Sequence, residues 1–186
     1  MRKVLLAPAA ACLVMALAVS SGVGVASAAK LAAGPHVPKK GGSVIFTAYS
    51  NSDGPKSVIV LSGAIGDYGS ATRTSTSKGG EFTQLLIKVT EGSFRLNIAG
   101  VEGRLAKAIY GHFPTNSSTC SGQVSITGAT PIVGHSGTGS YKDISGTFST
   151  TITINEVEDW PACPDIDTSP FLAQTVFLTG TGMVHL

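Results

Sequence analysis

Gly137-Thr138-Gly139-Ser140-Tyr141-Lys142-Asp143-Ile144-Ser145-Gly146-Thr147-Phe148 runs directly into Ser149-Thr150-Thr151-Ile152-Thr153-Ile154. Glycines bracket a loop that carries a Tyr and an Asp, and the residues after it alternate with a period of two. That order describes a tight connection feeding a β-strand. The same signal recurs on both sides. Phe82 to Thr90 sets Leu85, Ile87 and Val89 against Gln84, Lys88 and Thr90, with Leu86 out of pattern. After a turn at Glu91-Gly92, Ser93 to Ala99 sets Phe94, Leu96 and Ile98 against Ser93, Arg95 and Asn97. The two runs predict a hairpin with one apolar and one polar face.

Further strands are expected at similar spacing. Ser43 to Ala48 carries Val44, Ile45 and Phe46, and is closed by the turn-rich segment 50–55. Ser57 to Ile65 is β-branched and continuously apolar, as for a strand covered on both sides. Cys120 to Thr127 and Phe148 to Glu156 follow, and the terminal run divides around Gly180-Thr181-Gly182 into Leu172 to Thr179 and Met183 to Leu186. Arg104 to Tyr110 fits a short helix or a strand and reads as strand or extended loop. Seven or eight short strands with Gly-rich turns mean an all-β barrel or sandwich. A content of 42% hydrophobic and 13% charged residues suits a stiff β domain. Long apolar edges invite aggregation, which favours closure into a single antiparallel barrel of about eight strands. With no helix to cover an outer face, the interior is expected to hold Leu85, Ile87, Phe94, Leu96, Ile152 and Ile154.

The N-terminus reads as an address. Arg2 and Lys3 precede an apolar run from Val4 to Val19, and Ala26-Ser27-Ala28 fits cleavage before Ala29. The run is short for a membrane span and is broken by Pro8. Residues 1–28 are thus a secretory signal, 29–42 a Pro/Gly-containing leader and 43–186 the β domain. Cleavage removes two of 13 basic residues and none of 11 acidic ones, leaving side-chain charge balanced. No basic stripe remains for nucleic acid or an anionic membrane. Cys12 leaves with the signal, and in an oxidising compartment Cys120 and Cys163 read as one disulfide.

Gly63-Ala64-Ile65-Gly66-Asp67-Tyr68-Gly69, the Phe94 hairpin, Cys120-Ser121-Gly122 and the loop from Gly137 to Gly146 together resemble small secreted actinobacterial proteins of the allene oxide cyclase barrel type. These are distant relatives of the plant dirigent proteins, and a G-T-G-x-Y/F-x-x-x-x-G loop is their hallmark. The resemblance spans roughly Ser57 to Leu186 and implies an eight-stranded antiparallel barrel with a central cavity. Catalytic residues of the plant enzymes do not map onto this chain, so none is transferred.

Catalytic and metal motifs fail on spacing. Gly134-His135-Ser136-Gly137-Thr138 approaches a nucleophile elbow but has Thr138 at the final glycine and no strand-to-helix setting. Asp165-Ile166-Asp167-Thr168-Ser169 starts like a calcium loop, yet Pro170 takes the sixth position and Val176 the twelfth. His36, His112, His135 and His185 have no ligand spacing, so no metal and no cofactor is expected. The candidate ligand-binding residues are Asp67, Tyr68, Phe94 and Tyr141. For Asp67 and Tyr68, at a strand end beside glycines, turn chemistry favours an Asp-stabilised turn over a role at the mouth. Tyr141 is expected to pack under its glycine loop, and Trp160 against the disulfide. The function that follows is a secreted or envelope module binding a small apolar molecule in or at the mouth of the barrel. The alternatives are an isomerase or cyclase like the plant relatives, and an envelope protein with a filled barrel.

Overall fold

The computed structural model describes residues 40–51, 56–159, 163 and 171–186, with backbone alone at 111, 112 and 171. The signal segment 1–28, most of the leader, Trp160 and the calcium-like run from Asp165 lie outside the described residues. The described chain is an antiparallel β-sheet with one helix. Its elements are β1 (Gly42–Ser50), β2 (Lys56–Gly63), β3 (Asp67–Thr76), β4 (Phe82–Val89), β5 (Gly92–Asn97), α1 (Ala99–His112), β6 (Thr115–Asn116), β7 (Ser121–Pro131), β8 (Thr138–Gly139), β9 (Ser145–Glu158) and β10 (Phe171–His185).

The expected hairpin is present with its apolar residues on one face, and the structure pairs Leu85 with Leu96 and Ile87 with Phe94. All six residues assigned to the interior are buried. The period-two alternation places them on the inner face with Val44, Phe46, Ile59, Leu61, Phe148, Val176 and Leu178.

Four expectations need correction. The closed barrel of about eight strands is replaced by ten strands in the order β6-β7-β9-β10-β1-β2-β3-β4-β5-β8, and the sheet is not closed into a barrel. Its flanks meet at a single bridge, Leu96 with Ile132, supported by the Val133 N–H donating to the Arg95 carbonyl at 2.8 Å. The reason is the second correction. Arg104 to Tyr110 is neither strand nor loop but part of α1, which packs chiefly on β7 and also touches β4 and β9. Because α1 begins at Ala99, β5 stops at Asn97 and does not extend a ladder along β7. Val101, Leu105, Ala108 and Ile109 recur at helical spacing and turn toward the core. Gly100 and Gly103 weaken the propensity that would have announced the helix. In place of a side-chain N-cap, the Asn97 side chain accepts from the Ala99 N–H at 3.1 Å.

Third, the terminal run is one continuous strand, β10, paired along its length with β1 and β9. Gly180 and Gly182 face inward, where a Cβ on the first would strike the Phe46 ring and one on the second would strike the Thr147 carbonyl and press on Phe148. They are spaces for two core rings, whose centroids are 5.3 Å apart, rather than a turn. Fourth, β2 is covered on one side only. Ile59 and Leu61 are buried, whereas Val58 is 65% and Val60 56% exposed.

Cys120 and Cys163 are paired at disulfide distance with Cα atoms 5.4 Å apart. The pair ties the β6–β7 turn to the chain beyond β9, and the Glu158 N–H donates to the Cys120 carbonyl beside it at 2.7 Å. Closing a loop with a sequence separation of 43 should stabilise by roughly 3–4 kcal/mol on the chain-entropy estimate. Reductant, or Cys163→Ser, is expected to lower the thermal midpoint accordingly. Thiol titration of the denatured, unreduced chain lacking residues 1–28 should find neither cysteine free, and two free thiols there would reject the bond.

Candidate functional site

Three of the four sequence-derived candidates come together, but as a fastening. Asp67 opens β3 and is 3% exposed. Its Oδ1 accepts from the N–H of Tyr68 at 2.7 Å, the N–H of Thr90 at 3.1 Å and the Thr90 hydroxyl at 2.5 Å. Oδ2 accepts from the Glu91 N–H at 3.2 Å and from the buried Tyr141 hydroxyl at 2.7 Å. Tyr141 hangs from the glycine loop with its ring 5.5 Å from that of Phe94. Gly137 must be glycine because a Cβ would overlap the Tyr141 carbonyl, and Gly139 because its φ is +59° beside the Glu91 carbonyl. The loop that suggested a binding site is a clasp locking the β8 region onto the β3 and β4–β5 ends.

Electrostatics agree with that role. Burial alone would raise the Asp67 carboxyl, but bonds from Thr90, Tyr141, Tyr68 and Glu91 outweigh it and hold the pKa below the ordinary value. Burial, then the bond to Asp67 and its charge, pushes the Tyr141 phenol well above its ordinary range. Tyr68, the fourth candidate, points the other way and is 61% exposed on the outer face. The elbow-like segment is also a turn, in which the Ser136 hydroxyl donates to the Val133 carbonyl at 2.6 Å and accepts from the Arg95 N–H at 3.0 Å.

The inner face changes character along the strands. Around Asp67 it is filled by Val44, Leu61, Ile65, Phe148, Tyr141 and Val184. Toward the opposite rim the inward positions become Ser57 of β2, Ser50 of β1, Arg73 of β3, and Gln174 and Glu158 of the last two strands, all buried. Gln174 donates its amide to Glu156 at 2.8 Å, while its amide oxygen and Glu158 Oε2 are buried without a hydrogen-bond partner among the described residues. At this rim α1 faces the β3–β4 hairpin across a cleft of about 270 Å³. It is lined by Arg73, Glu102 and Ile154, by the apolar Phe82, Leu105, Ala106 and Ile109, and by the Gly79-Gly80-Glu81 turn, with Tyr110 82% exposed at its edge. Arg73 Nη1 lies 3.7 Å from Glu102 Oε1, and the guanidinium is 4.9 Å from the centre of the Phe82 ring. A neighbouring hollow of about 460 Å³ shares Glu81, Phe82, Ala106 and Tyr110 and continues to Ser77, Ala99, Gly103 and Lys107.

A larger depression, about 570 Å³, lies over β7, β9 and β10 but is walled mainly by small and uncharged polar residues. The cleft at α1 is the stronger candidate because apolar walls there converge on two buried charged groups. Comparison with protein-family models, curated proteins and solved structures found no match. The site therefore has to be argued from its own geometry. Among the described residues no three His, Cys, Asp or Glu side chains gather into a metal site.

Arg73, Phe82, Glu102 and Tyr110 were not singled out by sequence reading. Arg73 shares strand parity with Asp67, Gly69 and Ala71, which marks it as inward-facing once β3 is recognised. Glu102 becomes visible only with the helix, four residues after Ile98 and three before Leu105.

Proposed function

We propose that this is a secreted module that binds a small, mainly apolar molecule in the cleft between α1 and the β3–β4 hairpin. The observation that carries the reading is a cleft with apolar walls and a buried Arg73–Glu102 pair at its floor. Around Asp67 the inner face is packed by its own side chains. A cleft of this kind binds chiefly by area, at about 25 cal/mol per Å² removed from water before association costs. The charged floor orients one polar end of the guest. Export of the chain is supported by the succession of basic, apolar and small residues in 1–28 and by the cysteine pair, which suits an oxidising compartment. The resemblance to allene oxide cyclase-type proteins rests on sequence motifs, and the loop that carries it serves here as the Asp67 clasp.

The test is a fluorescence titration with Nile red, an uncharged apolar dye. Saturable binding is expected, with affinity reduced at least about tenfold by Ala106→Arg, which fills the cleft; that loss corresponds to ~1.4 kcal/mol. Ser149→Arg, on the far outer face, should leave affinity unchanged. Absence of saturable binding, or equal affinity in the Ala106→Arg variant, would remove the cleft as the site.

A further inference from the structure

The outer faces of the sheet are not alike. On β7 and β9 the outward residues form a polar ladder, with Ser125 to Thr153 at 2.9 Å, Thr127 to Thr151 at 2.8 Å and Gln123 to Asn155 at 2.5 Å. On β4 and β5 the outward residues include Lys88, Arg95 and Asn97. On β10, β1, β2 and β3 large apolar side chains stand outward among uncharged Ser and Thr. Tyr49 sits opposite Phe177 on one side and Val58 on the other, and the two rings are 5.2 Å apart. Val60 sits opposite Tyr68, with Thr47 between Val60 and Thr179. Ile45 and Met183 extend the patch along the strands. All seven large side chains are between 39% and 65% exposed. Among the described residues, the outward positions of these four strands carry no Asp, Glu or Arg, with Lys56 at one end and His185 at the other.

We infer that this face is the interface through which two copies of the chain pair, sheet against sheet. Three observations favour a second copy over another occupant. First, seven large side chains about half exposed, each with roughly 150–250 Å² when free, offer on the order of 700 Å². That exceeds the patch ordinarily left on a monomer and approaches the ~800 Å² per partner of a stable interface. Second, the patch has no charge pattern for a charged partner to read. A two-fold pairing lays it on itself, so it needs shape and apolarity and no complementary charge. Third, the near-continuous apolar run Val58-Ile59-Val60-Leu61 is the pattern of a strand covered on both faces, and the single chain covers only the Ile59 and Leu61 side. The second copy supplies the missing layer, with two sheets about 10 Å apart as in a sandwich. The cleft at α1 is lined by none of these outward residues, so the pairing does not depend on the proposed ligand.

Sedimentation velocity over a concentration series, on the exported protein, tests the inference. A dimer is expected for the wild type, dissociating as concentration falls. Val58→Lys/Val60→Lys, which buries like charges against each other in the pair, should raise the dissociation constant at least about 100-fold. Val60→Thr, of the same shape and suited to a strand, should weaken it by a smaller factor while the far-UV spectrum and melting curve of the monomer are retained. Ser125→Lys on the polar ladder should have no effect. A wild type that is monomeric at every concentration overturns the inference. So does an assembly unmoved by both valine variants, or a monomer that instead floats with uncharged lipid vesicles.

Discussion

Asp67→Ala is expected to be among the most destabilising single substitutions in the domain, at about 3–5 kcal/mol by urea denaturation. For a domain of this size that corresponds to a fall in the thermal midpoint of roughly 10 °C or more. The carboxylate accepts five hydrogen bonds, three from backbone N–H groups and two from hydroxyls, and is almost wholly buried. Truncation leaves those donors facing a small cavity, and each unsatisfied buried group costs about 1–3 kcal/mol unless it relaxes to water. Tyr141→Phe removes one donor and leaves the other four, so about 1.5–3 kcal/mol is expected, the range for a bond to a charged acceptor. The pair should couple: the double variant costs less than its two parts together. Strict additivity would show that the Tyr141 hydroxyl does not fasten the loop through Asp67.

The same clasp sets the pH limits. Asp67 has a folded pKa below its unfolded value of about 3.9, so its contribution is fully present above that value and is lost as pH falls through the depressed one. Tyr141 has a folded pKa above its unfolded value of about 10, so its contribution is fully present below pH 10 and declines above it. Stability should therefore be level across neutral pH and fall on the acid side below about pH 4. In Asp67→Asn the acid limb should shallow, since the group that titrates there is gone. An unchanged acid limb in that variant would assign it to other carboxylates.

Where apolar residues alternated with polar ones, the fold was legible. The β4–β5 hairpin, the facing of its residues and the six interior side chains could all be read because a slip of one residue would turn Phe94, Leu96 and Ile98 to water. β3 was not legible, because its inward residues, Asp67, Gly69, Ala71 and Arg73, are small or charged and give no hydrophobic period. α1 was hidden by its glycines, and with it went Glu102 and the reason the sheet stays open. The exposed Val58 and Val60 were read as covered because a sequence records that a face is apolar and not which chain covers it. For the sites, turn chemistry pointed to Asp67 as a turn-stabilising residue and to Tyr141 as packed under its loop. The chemistry of the loop is spent on Asp67, and the cleft is built from residues that only the tertiary contacts bring together.

The buried Arg73–Glu102 pair should behave asymmetrically. Either Arg73→Met or Glu102→Met removes one member of the pair from a low-dielectric rim packed by Phe82, Leu105 and Ile154, and about 3–5 kcal/mol of destabilisation is expected for each. Arg73→Met also forfeits the guanidinium contact with the Phe82 ring, about 0.5–2 kcal/mol, so it should be the costlier of the two. The double substitution removes both charges and fills the space with apolar atoms of similar volume. It should cost clearly less than the worse single change, because attraction across 3.7 Å repays only part of the desolvation of both groups. The double variant should bind Nile red at least as well as the wild type, since its floor is wholly apolar, whereas a guest with a polar end should bind it less well. If the double variant is as unstable as the two singles combined, the charges are held independently by their other surroundings. The cleft floor would then be two separate anchors for the helix and no longer a paired, orienting site.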